Sequence, residues 1–317
     1  MILKVTPELL NMISVSCPVC GANQHSRIAI GKDFEYNTSN EEFYYNLCLN
    51  CGVYYLNPRP VISELPNIYP TEYEPYHFNK KTFTLQLRRW LVSRSVKNIL
   101  SLIPEESELM DVGCGSPSFL EILRQCNRPK WHLWGCDISP KTIQQIRLKG
   151  FEAICSRFEE LEMPDAFFNA IFMRQVLEHL EKPLAVMQNA ARLLKPSGIL
   201  LIETPNMDAW DAYLFRNRYW GGYHFPRHWT LFSADNLIKT GEQVGLKPLS
   251  TTFMLSPVFW TQSWHHYLMD KMWPDVVFKR FNFKNPFCMV FATLLDCLQK
   301  LISGKTSNMR IVFTKSK

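Results

Sequence analysis

Two short knuckles, "CPVCG" at Cys17–Gly21 and "CLNCG" at Cys48–Gly52, constrain this chain more than any other feature. Each sets two thiols three positions apart with a glycine directly after, and 27 residues separate the pairs. Four thiolates at that spacing can meet one tetrahedral zinc ion, and each glycine permits the positive-φ turn beneath it. The stretch "EEFYYNLCLN" before the second knuckle alternates and is aromatic, as a ribbon strand should be. Cys17, Cys20, Cys48 and Cys51 are therefore expected to hold a structural Zn2+ in an N-terminal ribbon, with no open position for catalysis. The other six of the ten cysteines stand singly, which fits a reduced, cytoplasmic protein and not a disulfide scaffold.

A chain of 317 residues, 46% apolar and 20% charged, can bury one large domain and a small companion. It shows no basic-then-apolar leader and no run of about 18 apolar residues, so neither secretion nor a spanning helix is expected. The net charge of +6 is unevenly spread. Residues 79–97 carry six Lys or Arg and no acid, and residues 271–317 carry nine against Asp275 and Asp296. An acidic body flanked by two basic segments points to an anionic substrate or surface. Between Asn57 and Phe78, five prolines and Tyr69, Tyr73 and Tyr76 mark an extended linker, which divides the chain into residues 1–78 and 79–317.

After a basic amphipathic helix at about 82–103, strands and helices alternate. "ELMDVGCG", "HLWGCDIS", "FEAICS", "FNAIFMR" and "SGILLIET" read as buried strands, with "PSFLEILRQC", "PKTIQQIRLKG" and "PLAVMQNAARLLK" as helices between them. That rhythm predicts a doubly wound α/β sheet with its site at the strands' carboxyl ends. In the first turn, Gly113 and Gly115 let backbone approach a ligand closely, while Ser118 replaces the third glycine of a dinucleotide fingerprint. Asp111, at the strand end, would repel a pyrophosphate and suits an ammonium group. Asp137, 26 residues on, is placed to accept from two ribose hydroxyls.

At these residues the chain resembles the class I S-adenosylmethionine-dependent methyltransferases, from roughly Leu109 to Leu246. "DVGCG" looks like the first family motif, "GCDIS" the ribose-binding one and "SRFEEL" the segment beside the adenine, with "FMRQVLEHLEKP" and "LLKPSGILLIETPN" matching later motifs. The resemblance implies a Rossmann-like seven-stranded sheet and S-adenosyl-L-methionine as cofactor. It implies that Asp111, Gly113, Cys114 and Gly115 hold the methionine end, with Cys114 a small packed residue. Asp137 would hold the ribose, Phe158 lie near the adenine, Ile138 and Arg174 contact the cofactor, and Gln175 line the methyl-transfer pocket as a catalytic candidate. "MRQV" stands where amine-methylating members carry Asn/Asp-Pro-Pro-aromatic, which disfavours a base's exocyclic amine as acceptor. The ribbon-plus-methyltransferase layout is similar to type 23-like enzymes of sugars, polysaccharide precursors and natural products. The expected reaction is methyl transfer to oxygen or carbon of such a small or carrier-linked molecule. A zinc-ribbon RNA methyltransferase and a non-catalytic binding module are the alternatives.

Strands six and seven are expected at 246–255 and 309–316, with an aromatic lid inserted at 255–308 whose Trp264 is expected to contact the substrate. "PFCMVFATLLDCLQKLI" in that lid reads as an amphipathic helix beside basic residues, giving a possible peripheral membrane contact at the inner surface. After strand five comes "YWGGYHFPRHWTLFS", Tyr219–Ser233. His224 and His228 are four apart, but Pro226 breaks the helix that would align them for a metal. His228 is the first candidate base and His224 the second. Arg227 is expected to bind a substrate phosphate or carboxylate, with Tyr223 lining the same wall. Glu178 and His179 in "EHLEKP" read as a helix start with structural hydrogen bonds.

Overall fold

The cysteine knuckles set the N-terminal fold. The computed structural model describes residues 9–70, 94–126, 128, 130–274, 277, 281 and 284–316. Gly21 and Gly52 both take φ +74°, and their amides donate to the carbonyl oxygens of Cys17 and Cys48 at 2.9 and 3.0 Å. Cys17 Sγ then lies 3.5 Å from Cys51 Sγ, and Cys20 Sγ 3.5 Å from Cys48 Sγ. Ligands about 2.3 Å from a tetrahedral zinc stand about 3.8 Å apart, so the cluster is compatible with a zinc ribbon. Its strands are β1 (Met12–Ile13), β2 (His25–Gly31), β3 (Phe43–Cys48), β4 (Tyr54–Leu56) and β5 (Arg59–Pro60). β2, β3 and β4 pair antiparallel, and β1 pairs with β5.

The larger sheet takes β6 (Ser107–Val112), β7 (Trp131–Asp137), β8 (Glu152–Cys155), β9 (Phe168–Arg174) and β10 (Leu194–Pro205) in parallel. After β11 (Thr230–Leu231) come β12 (Leu246–Met254) and β13 (Asn308–Lys315), the latter inserted antiparallel between β12 and β10. The spatial order is β12-β13-β10-β9-β6-β7-β8, so strand order reverses between β6 and β9. That reversal opens the crevice at the carboxyl ends where doubly wound sheets bind ligands. Local signals set the helices: proline occupies the first turn of Pro140–Leu148, Pro183–Leu193, Pro257–Asp270 and Pro286–Ser303. Ser233 and Asn236 close a capping box on Ala234–Gln243. Of the helix expected over 82–103, residues 94–100 are helical and 82–93 lie outside the described residues.

The two expected domains share a sheet. β11, which follows the aromatic loop, pairs antiparallel with β4 and makes the ribbon a four-stranded sheet, β11-β4-β3-β2. A common core joins them as well: Phe43, Tyr45 and Leu56 of the ribbon pack with Trp220, Tyr223 and Trp229 of the loop. Fully burying such side chains contributes about 1.5–3 kcal/mol each, so this junction is as firm as either interior.

Candidate active site

β6, buried over most of its length, delivers Asp111 to the crevice at 4% exposure. Burial pushes its carboxyl up to about 7, opposed by the charge of Arg174 and assisted by Asp137 and Glu203. The chain then turns through Gly113 at φ +59° and Gly115 at φ +54°. A Cβ on Gly113 would stand 2.8 Å from both Val176 methyls, so glycine lets the turns after β6 and β9 close on each other. Asp137 braces the turn: its Oδ2 accepts from the Gly115 amide and its Oδ1 from the Ser139 amide, each at 2.9 Å. Cys114 packs beneath, its thiol 3.4 Å from the Cys136 carbonyl oxygen. These residues could cradle a ligand bearing an ammonium and a diol.

Ile138 is exposed beside the turn, whereas the Phe158 side chain is 4% exposed and packed in the core with its carbonyl oxygen accepting from Asn189. Arg174 is spent on Glu203 at 3.0 Å and lies 4.4 Å over the Phe119 ring. Gln175 adopts φ +55° and donates through Nε2 to Asn308 Oδ1 at 2.9 Å.

Above the ends of β9 and β10 stands a cluster of imidazoles. The His228 ring centroid is 4.6 Å from that of His179 and 4.9 Å from that of His224. His228 Nδ1 donates to the Gly222 carbonyl oxygen at 2.8 Å, which fixes the tautomer and leaves Nε2 as the accepting nitrogen. His224 Nδ1 donates to Glu35 Oε1 at 2.8 Å, and His179 Nδ1 lies 2.8 Å from the Tyr69 hydroxyl and 3.1 Å from the Arg227 carbonyl oxygen. Burial, reinforced by neighbouring His179 and His224, holds His228 well below the ordinary imidazole range; burial and His224 bring His179 down to about 3. Glu178 completes the cluster: wholly buried, its Oε2 accepts from Thr204 Oγ1 at 3.0 Å and its Oε1 has no partner among the described residues. Burial pushes this carboxyl up to about 8. Ligand atoms of Glu178, His179 and His228 all lie within 4.8 Å, a donor set that could also hold a divalent ion.

Three expectations change here. Arg227 does not face a substrate: it is wholly buried and forked onto Asp33 of the ribbon, at 3.1 and 2.8 Å, because a guanidinium inside needs a planar carboxylate partner. Tyr223 is equally enclosed, stacked at 4.8 Å on Tyr45 with its hydroxyl donating to the Arg216 carbonyl oxygen. His224 and His228 have a third imidazole beside them after all, His179, brought by the β9 turn. Trp264, on Pro257–Asp270, packs edge-on against Phe215 at 5.3 Å. Glu35 and Asp33 carry no local sequence signal for this site, whereas Tyr69 is one of the linker tyrosines; each meets its partner across more than a hundred residues. Tyr73 and Tyr76 lie outside the described residues.

The methyltransferase-domain family matches residues 85–251. A ubiquinone biosynthesis O-methyltransferase of Xylella fastidiosa is 34% identical over 107 residues, covering 32% of this chain and 42% of that protein. A 37.1 kDa protein of transposon TN4556 from Streptomyces fradiae is 29% identical over 165 residues, 49% of this chain and 46% of the relative. The chain therefore spans less than half the length of these curated relatives. Among solved structures, a Haloferax volcanii methyltransferase complexed with the Trm112 methyltransferase activator gives a TM-score of 0.50 at 15% identity. That likeness covers 74% of this chain and 93% of the other, and is one of fold.

Proposed function

The chain belongs to the methyltransferase-domain family as a class I S-adenosylmethionine-dependent methyltransferase, and from that premise we propose that it methylates oxygen, or carbon, of a small or carrier-linked acceptor such as a sugar or polysaccharide intermediate. One observation carries the choice of acceptor: a buried imidazole, His228, with its accepting nitrogen defined, stands 4.6 Å from His179 in the turn after β9. The oxygen acceptor named for the Xylella fastidiosa relative supports the same class. S-adenosylmethionine supplies an already activated methyl group, which leaves this chain to align a nucleophile, exclude water and take a proton.

In this reading the Asp111 carboxylate pairs with the cofactor's ammonium, and Gly113 and Gly115 allow the close approach. Asp137 accepts from the ribose hydroxyls. His228 stays unprotonated through the neutral range and removes the acceptor's proton, while Glu178, protonated below about pH 8, adds no repelling charge. Replacing His228 by Asn should lower kcat roughly 10²-fold, the lower end for loss of a general base, with S-adenosylhomocysteine affinity unchanged by calorimetry. Full activity in that variant removes the base assignment.

Asp111 gives a pH signature. Its carboxyl is raised to about 7 without ligand, and only the ionised form attracts an ammonium. Affinity for S-adenosylhomocysteine should therefore weaken about tenfold per unit below pH 7, and level off above it until the ligand's own ammonium deprotonates. Calorimetry across that range with Asp111→Asn as control checks this; identical pH dependence in the two proteins contradicts it.

A further inference from the structure

The Pro286–Ser303 helix is inside out. Beside Ala292 and Leu295, which join the apolar core, its buried side carries two polar groups: Asp296 Oδ2 accepts from the Ser256 amide at 2.5 Å, and Gln299 Oε1 accepts from the Trp210 and Asp211 amides at 3.1 and 3.3 Å. Its open side carries Phe287, Phe291, Leu294, Leu298 and Leu301, between 49% and 84% exposed. Steps of four, three, four and three residues set them in one stripe about 21 Å long. The helix has a mean hydropathy of 1.3, yet only 17% of it is buried. Tyr213, on the Trp210–Leu214 helix that meets Gln299, is also 77% exposed. Soluble monomers rarely leave so long an apolar stripe in water.

The surrounding charge names the occupant. Lys284, just before the helix, and Lys300, within it and donating to the Phe253 carbonyl oxygen at 2.8 Å, are exposed, as is Lys271 at the end of Pro257–Asp270, and the sole acid among the described residues of 271–316, Asp296, is buried. An apolar face rimmed by cations suits an anionic bilayer. The helix does not cross one: it is tied at its middle by Asp296 and Gln299. It stops at Gly304, φ +71°, and β13 returns to the sheet from Asn308.

We propose that this helix docks the protein in plane on an anionic phospholipid surface. The helix packs on Pro257–Asp270, whose Ser263 Oγ accepts from the Gly221 amide of the aromatic loop at 2.8 Å, so docking fixes the acceptor wall relative to the bilayer. The inference stands apart from the identity of the acceptor. Flotation of the full chain with phosphatidylcholine vesicles, with and without phosphatidylglycerol, tests it. Recovery should require the anionic lipid, fall with added salt, and drop at least about tenfold in Phe291→Glu/Leu298→Glu. Both sites are exposed, and unchanged S-adenosylhomocysteine affinity would confirm that the variant is folded. No recovery with anionic vesicles overturns the proposal, as does equal recovery of the variant. A dimer in solution that the same pair dissolves, with no effect on vesicle binding, assigns the face to a second copy instead.

Discussion

Arg227→Met should destabilise the protein by about 3–5 kcal/mol in urea unfolding and abolish most activity with it. Arg227 and Asp33 are both wholly buried and forked together at 2.8 and 3.1 Å, so removing one leaves the other's charge inside without a partner. Burial alone would raise Asp33, but hydrogen bonds and charge from Arg227 overcome it and hold the carboxyl at about 2. A folded-state value below the unfolded one stabilises above roughly pH 4, and that contribution disappears as pH falls through 2. The variant should accordingly lack the acid-side slope expected of the native protein. Arg227→Lys keeps the charge but not the two-pronged geometry and should fall between them. The Arg227 carbonyl oxygen also meets His179, and its amide donates to the His224 carbonyl oxygen at 2.8 Å. Loss of the anchor therefore disturbs the imidazole cluster before the sheet unfolds. A melting curve unchanged in Arg227→Met contradicts this account.

Chelation of the ribbon, or Cys48→Ser, should lower stability by several kcal/mol and silence the enzyme, although no cysteine of the cluster lies in the crevice. One zinc per chain is expected by metal analysis, lost in the variant. The knuckle at Cys48–Gly52 turns β3 into β4, and β4 is the strand on which β11 pairs. Releasing the thiolates frees β4, and with it the strand that ends the histidine loop. Activity and metal content should fall in parallel during stepwise chelation. Full activity in fully demetallated protein would separate the ribbon from the site.

The cofactor half of the molecule was legible because its signals are local. A glycine turn after a buried strand, an aspartate at the next strand's end, and prolines opening helices each act within a few residues. The histidine-loop half was not, because its bonds are distant: Asp33 meets Arg227 across 194 positions and Glu35 meets His224 across 189. No periodicity encodes such pairs, and Arg227 in a loop looked available when it was already committed. Pro226 did rule out a helical histidine pair, and Gly221–Tyr223 is a single 3-10 turn. Yet two imidazoles need no helix to meet, and a non-helical loop delivers them 4.9 Å apart. The 286–303 helix was readable from its apolar period, whereas the direction its polar side faces depended on Ser256, Trp210 and Asp211, which only the tertiary fold brings near.

The strand shared between ribbon and body defines the unit that can be exchanged among relatives. A chimera fused at residue 78 would marry one protein's Asp33 and Glu35 to another's Arg227 and His224, breaking the buried fork and the carboxylate–imidazole pair together. Recombination that preserves both must move residues 9–70 with the loop ending at β11 as one cassette, leaving the β6–β10 cofactor half behind. Sequence drift in the ribbon would then have to track drift in the loop.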